Sequence, residues 1–529
     1  MLAKLYGSAL HGVDAIQITI EVSVSNGIGY LITGLPDDSI KESLARIAIA
    51  ISSNGYFMPR NKLVINLAPA GVRKMGTAFD LPITLGIPMA SGQLTDLGKL
   101  KDYILVGEIG LDGKIYPVRG ALNMTCQAKK DGFSGIMLPE ANAAEAAVVK
   151  GINVFSFKYL KEVIEFINMD CAKEPIKLST HSLSNSYSPE LDFKDVKGQQ
   201  NVKRALEIAA AGGHNALLIG PPGIGKTMLA KRLSSILPPM TLAESLETTR
   251  VHSVVNSGES LSGLVTERPF RSPHHTASDV ALAGGGNFPV PGEISMAHNG
   301  VLFLDELPEF RRAVIEVLRQ PLEERKILIS RAKMSLEFPA SFMLLAAMNP
   351  CLCGYFGHPS RKCTCSRRAI YWYRRRISGP LLERIDLHIE VESLPLHELM
   401  KINQPAESSA TIRERVTNAR KIQSYRYKNG SDIYCNAHMP DHDIEKYCPL
   451  EDTARKFLFK MIEQLQLSAR SYSRILKLSR SIADLAGSDS LELNHVAEAI
   501  HFRSLDKPLI IPYTKNQNST AFKKYPFAV

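Results

Sequence analysis

The feature that most constrains this chain is the run Leu217-Leu218-Ile219, then Gly220-Pro221-Pro222-Gly223-Ile224-Gly225-Lys226-Thr227, then the helical pattern Met228-Leu229-Ala230-Lys231-Arg232-Leu233. A short apolar strand that turns through glycines into a helix opening on Lys-Thr is the phosphate-binding P-loop in its required strand-loop-helix setting. The glycines let the backbone curl until its N–H groups and the helix N-terminus face phosphate oxygens. Lys226 is then placed for the β and γ phosphates of a nucleoside triphosphate, and the Thr227 hydroxyl for Mg²⁺. Around this loop, residues 191–395 alternate helical patterns with short apolar strands, which predicts an α/β domain with a parallel sheet covered by helices.

Two further strand ends carry chemistry. Val301-Leu302-Phe303-Leu304 runs into Asp305-Glu306; Asp305 is suited to hold Mg²⁺ through water and Glu306 to polarise the attacking water, so hydrolysis is expected rather than passive binding. The strand from Phe342 to Met348 ends in Asn349, whose amide can orient that water. Together these residues resemble the AAA+ ATPases. The resemblance implies that Asp305-Glu306 is the Walker B pair and Asn349 sensor 1. It also implies that Arg384, within Leu381-Leu382-Glu383-Arg384-Ile385-Asp386, is an arginine finger reaching the neighbouring subunit's site. Arg470 resembles the sensor 2 arginine, with Arg474 as its competitor, and Phe193–Gln199 the segment that contacts adenine.

Arg268–Gly286 (RPFRSPHHTASDVALAGGG) and Pro291–Glu306 (PGEISMAHNGVLFLDE) sharpen the match. They are similar to the magnesium-chelatase-like branch, which also contains minichromosome maintenance helicases, and within it nearly the whole chain resembles the bacterial ComM/YifB family. The resemblance implies a cytoplasmic, hexameric ATP-dependent DNA motor that promotes branch migration and the integration of single strands during natural transformation, with recombination proteins as further partners. His274 and His275 lie in the family string; adjacent residues of an extended segment point to opposite faces, so a structural role is expected rather than metal binding. Lys326–Arg331 and Met334–Phe338 alternate like a hairpin ahead of sensor 1. In ring helicases of this branch such a hairpin carries pore cations, making Arg331 and Lys333 candidate DNA contacts, with a solvated tip as the alternative.

Cys351-Leu352-Cys353 and Cys363-Thr364-Cys365 supply four thiols able to close a tetrahedral site around structural Zn²⁺, against isolated thiols or a His358 ligand. Immediately after come Arg367, Arg368, Arg374, Arg375 and Arg376, interleaved with Tyr371, Trp372 and Tyr373. Cations suit phosphates and aromatic faces stack on unpaired bases, so the stretch is a candidate DNA-binding region; the competing reading is a solvated helix whose aromatics pack inward.

Ahead of the P-loop, residues 1–169 mix β-like runs with helices. Parts of residues 63–140 resemble the proteolytic domain of Lon and its inactive relative in the RadA recombination protein. Ala78 stands where that domain needs its Ser and Leu122 near its Lys, so a scaffold is expected; Thr77 with Lys74 nearby is the residual case for proteolysis. The remaining divisions expected are a Ser/Lys/Pro/Asn-rich linker over 170–190, a helical lid over 396–510 and a tail over 511–529. The chain's 529 residues carry 63 Lys plus Arg against 53 Asp plus Glu, a net charge of +10 that favours a polyanionic partner. No apolar run approaches the roughly 20 residues that span a bilayer, and the start does not read as a secretory signal. Two competing functions remain: a chelatase-type remodelling ATPase driving metal insertion, and an ATP-dependent protease.

Overall fold

The computed structural model describes residues 2–95, 98–168, 173–176, 191–255, 263–286, 289–331, 334–393, 407–428, 433–503 and 505. Lys333, the tail over 511–529 and most of the 170–190 linker lie outside them.

The N-terminal unit is a seven-stranded mixed sheet in the order Tyr30–Thr33, Lys62–Ala68, Asp14–Ser25, Leu2–His11, Tyr103–Leu105, Gly135–Pro139, Asn153–Phe157. The helix Asp38–Ser53 forms where the 3.6-residue pattern predicts it, its first turn closed by the Asp37 carboxylate accepting from the Ile40 N–H, and Ile40, Leu44, Ile47 and Ile51 face the core. Asp112-Gly113 turns the small hairpin Glu108–Ile109/Ile115–Tyr116, with Gly113 at φ 80°.

The second sheet has five parallel strands in the order Phe270–Arg271, Val301–Leu304, Met343–Met348, Ala216–Ile219, Leu387–Glu390. Ala216 and Leu218 pack into one core with Val301, Phe303, Leu345 and Leu387. Leu217 and Ile219 pack into the other with Leu302, Leu304 and Ala346. Burial on both faces is why these strands read as unbroken apolar runs. Their C-terminal ends, side by side, carry the P-loop, Asp305-Glu306 and Asn349.

The C-terminal helices Ser409–Arg426, Asp452–Leu465, Ala469–Ala486 and Leu493–His501 share the first of those cores: Ile412, Val416, Ile475, Leu478 and Ile482 pack with Leu206 and Ala209 of the helix Gln200–Gly212. The two units are joined along the helix Leu242–Val255. Its Arg250 reaches Asp14 at 2.6 Å, and Ser253 takes an N–H from Gly120 at 2.9 Å and gives its hydroxyl to Glu145 at 2.9 Å. Among the described residues, no helix is long and apolar enough to cross a membrane.

Candidate functional site

The P-loop curls as its glycines dictate: Gly223 and Gly225 have φ of 80° and 89°, and Lys226 opens the helix Lys226–Ile236. Lys226 Nζ donates to the carbonyls of Gly220 at 2.7 Å and Pro221 at 3.0 Å, and to Asn349 Oδ1 at 3.0 Å. Burial lowers its pKa below the ordinary lysine value, against the opposing pull of Asp305 and Glu306. Thr227 Oγ1 donates to Asp305 Oδ2 at 2.6 Å, so a hydroxyl and a carboxylate converge beside the loop, the hard oxygen donors that suit Mg²⁺. Glu306 follows with a left-handed backbone at φ 52°, its N–H on Asp305 Oδ1 at 2.9 Å and its carboxylate exposed. Pro222 and Ile224 complete the loop, Pro222 outward and Ile224 half-buried.

His275 Nδ1 lies 3.6 Å from Glu306 Oε2, a contact that nothing in the linear sequence suggested. The expectation that the two histidines diverge is corrected: residues 275–276 form a turn rather than a strand, and the His274 and His275 rings lie 4.1 Å apart at 34°.

The adenine-segment candidate folds as a short 3₁₀ turn, Phe193–Asp195, fastened to the P-loop helix by Arg232, whose Nε donates to the Asp192 carbonyl at 2.7 Å.

Two residues beyond Asn349 the cysteines gather. The ligand atoms of Cys351, Cys353, Cys363 and Cys365 all lie within 4.8 Å of one another, Cys351 fully buried. Backbone N–H groups of Tyr355 and Thr364 hold the Cys353 thiol down at about 5, whereas burial pushes Cys363 up to about 12, so negative charge settles on one sulfur of the group. His358 is not in the cluster; its Nδ1 accepts from the Ser360 and Arg361 N–H groups. The cysteine loop rests on the P-loop, since a Cβ on Gly354 would stand 2.5 Å from Pro222 Cδ.

The arginines sit elsewhere. Strand Ala216–Ile219 enters the P-loop at its C-terminal end, whereas Arg384, Arg470 and Arg474 surround the N-terminal end, in a pocket of about 390 Å³ that includes Asn215 and Asp386. Arg384 is buried and paired with Glu323, its Nε without a hydrogen-bond partner among the described residues. Arg470 is exposed and meets Glu383 at 3.2 Å. Arg474 pairs with buried Asp386; burial alone would raise that carboxyl, but Arg474 and His214 hold it well below the usual carboxylate range. None of the three arginines is therefore beside its own chain's Lys226.

The basic stretch forms the helix Arg367–Arg374, capped by Ser366, whose side chain accepts from the Ala369 N–H. Arg368, Tyr371, Trp372 and Arg375 are spaced as one stripe and are exposed, with Arg367 beside them. The Arg375 guanidinium lies 5.2 Å from the Tyr371 ring and 5.7 Å from Trp372. The opposite stripe, Ile370, Tyr373 and Ile377, is buried. Arg374 and Arg376 are committed internally, Arg374 Nε to the Pro350 carbonyl at 3.3 Å and Arg376 to Glu309 at 2.8 Å. In the expected hairpin, Lys326–Arg331 with Met334–Pro339, exposed Arg331 lies across Gly285, where a Cβ would stand 2.7 Å from its Nη2.

In the N-terminal unit, Ala78 is half-buried in a cleft of about 1260 Å³, and Leu122 is buried in the helix Ala121–Lys130. Thr77 donates its hydroxyl to Glu108 at 2.5 Å, while buried Lys74 donates to the Pro69 carbonyl. Each is bonded elsewhere, so Lys74 is not arranged as the base of Thr77.

Three family models match the chain: magnesium chelatase subunit ChlI over residues 192–399, subunit ChlI of Mg-chelatase over 20–142, and the ChlI C-terminal region over 406–503. The chain is 44% identical to competence protein ComM of Haemophilus influenzae over 509 residues, covering 95% of this chain and 98% of that one. It is 42% identical to YifB of Salmonella typhimurium over 510 residues, covering 96% and 98%. A shorter match, 28% identical over 175 residues, covers 30% of the chain and 31% of Lon protease 2 of Bacillus subtilis. Agreement over almost the full length, on an α/β core with an N-terminal Lon-like unit and C-terminal helices, shows that the chain belongs to the ComM/YifB family of magnesium-chelatase-like AAA+ ATPases.

Proposed function

We propose that this chain is an ATP-driven DNA motor that works as a homo-hexamer, promoting branch migration and the integration of single-stranded DNA during natural transformation. The observation that carries the reading is the separation of its catalytic groups. Lys226, Thr227, Asp305, Glu306 and Asn349 gather at one end of the parallel sheet and Arg384, Arg470 and Arg474 at the other. A site divided in this way is completed between two copies arranged head to tail, and head-to-tail contacts close into rings. The likeness to ComM, a competence protein, and the exposed stripe of Arg368, Tyr371, Trp372 and Arg375 support DNA as the cargo.

In this reading ATP lies along the P-loop with its γ-phosphate toward Lys226 and Asn349. Thr227 and Asp305 would hold Mg²⁺, which would supply neutralisation of phosphate charge. Glu306 polarises the attacking water, and His275 beside it holds the carboxylate's direction. Arg384 of the next subunit, released from Glu323, neutralises the transferring phosphoryl group, with Arg470 or Arg474 behind it. The four cysteines would hold a structural Zn²⁺, since four thiolates would leave no open position for catalysis. The units are divided at 1–169, 191–395 and 396–510, with the N-terminal unit as scaffold rather than peptidase. The test is branch migration of a synthetic three-stranded substrate: ATP-dependent migration is expected, and ATP turnover without migration or unwinding would sink the DNA-motor reading in favour of protein remodelling.

A further inference from the structure

Arg384 is held by its own chain. Its side chain is 6% exposed and pairs with Glu323, Nη1 gives a second hydrogen bond to the Pro380 carbonyl, and Nε has no hydrogen-bond partner among the described residues. A guanidinium so placed is charged, largely dry and one acceptor short, so a further anion that reaches it competes with Glu323. The Glu323 side chain, by contrast, is half exposed. It lies in the last turn of the helix Arg319–Glu324, and two residues separate it from the start of the hairpin strand Lys326–Arg331. Arg325 between them is bonded in both directions: its N–H goes to the Pro321 carbonyl at 3.0 Å, and its carbonyl takes the Ala340 N–H at 2.8 Å. The hairpin itself is paired from Lys326 and Pro339 at its base to Arg331 and Met334 at its far end. Helix end and hairpin base are therefore one stiff piece. Glu323 and Arg384 also share a groove of about 610 Å³ with Leu328, Ser330 and exposed Arg331 of that strand.

We propose that Glu323 is a positioning residue that keeps Arg384 on its own subunit until nucleic acid on the hairpin draws the carboxylate away. This rests on the DNA-motor reading above, with Arg384 as the arginine shared between subunits. The coupling is mechanical: a polyanion attracted to Arg331 tilts the hairpin, and the end of the helix Arg319–Glu324 follows. Arg384 then loses its carboxylate, and the triphosphate in the neighbouring subunit is the anion that replaces it. DNA thereby decides when the arginine is offered to the seam.

The test uses the full-length protein with a poly-dT oligonucleotide. It measures ATP turnover with and without DNA, oligonucleotide binding by anisotropy, nucleotide affinity with a fluorescent ATP analogue, and assembly by native mass spectrometry. Glu323→Gln keeps the side chain's shape and removes its charge; Glu323→Asp keeps the charge. In Glu323→Gln, turnover without DNA is expected to rise about tenfold toward the DNA-stimulated rate, the factor one charge-assisted hydrogen bond sustains. Nucleotide affinity and assembly are expected to stay at wild-type values. Glu323→Asp should bring the DNA-free rate back toward wild type, and adding Arg384→Ala to Glu323→Gln should abolish the gain. A merely structural Glu323 would lower turnover instead. Unchanged or lowered DNA-free turnover in Glu323→Gln, or a gain that survives Arg384→Ala, overturns the latch, and with a DNA-stimulated wild type the motor reading still stands. A wild type that neither binds the oligonucleotide nor accelerates with it overturns the motor reading and the latch together.

Discussion

At Glu306 the chain bends into a left-handed backbone that only a minority of non-glycine residues adopt, and the bend turns the carboxylate away from Asp305 while the Glu306 N–H stays on the Asp305 side chain. Two adjacent acids therefore serve two purposes: Asp305 faces the Thr227 hydroxyl and Glu306 faces His275. Glu306→Gln keeps the shape and removes the carboxylate; if that group polarises the attacking water, turnover should fall by about 100-fold or more while nucleotide affinity is retained, checked by steady-state hydrolysis beside equilibrium binding. If the four cysteines hold the proposed Zn²⁺, replacing Cys351 and Cys353 by Ser should release it, since two thiolates cannot close a tetrahedral site. Elemental analysis of the purified variant reads this directly, and an unchanged zinc content would defeat the assignment. Lys226, Thr227, Asp305, Glu306 and Asn349 were all legible in the sequence because each ends or follows a short apolar strand. The His275–Glu306 contact was not, because those residues lie on separate segments and no local periodicity joins them.

The elements show the same division. The strands Ala216–Ile219, Val301–Leu304 and Met343–Met348 announce themselves as apolar runs because both faces are covered. Phe270–Arg271 is only two residues long and its backbone pairing with Val301 and Leu302 leaves no pattern to read. Leu2–His11 is hard to read for another reason: Lys4, Gly7 and Ser8 interrupt its apolar alternation, and the strand is held by ten register pairs to Asp14–Ser25 and by its place mid-sheet. On the helix Arg367–Arg374 the aromatics divide, with Tyr373 turned inward and Tyr371 and Trp372 outward. If the outer stripe stacks bases, Trp372→Ala should weaken poly-dT binding by about 1–3 kcal/mol without changing the melting temperature, read by anisotropy at fixed salt. Arg376→Ala, removing a residue already held by Glu309, should weaken it far less.

For the whole molecule, the sequence carried the class of each unit but not how the units meet. The helix Leu242–Val255 lacks a single apolar stripe because it is lined on several sides, Arg250 and Ser253 meeting the N-terminal unit and Thr248 the carbonyl of His298. The placement of Arg384 away from its own Lys226, at the opposite end of the sheet, is what the arginine-finger resemblance leads one to expect. It leads to a mixing experiment. Lys226→Ala and Arg384→Ala proteins should each be nearly inactive in ATP turnover, and combining them should restore activity that neither has alone, because some seams then unite an intact loop with an intact arginine. Absence of any recovery, with mixed assembly verified by native mass spectrometry, would place Arg384 outside the shared site. The C-terminal helices bear on how such an assembly moves. They are built into the same apolar interior as the helix Gln200–Gly212. If the proposed motor moves, swinging these helices away would expose that shared interior to water, so rolling of whole subunits along their seams is the less costly stroke.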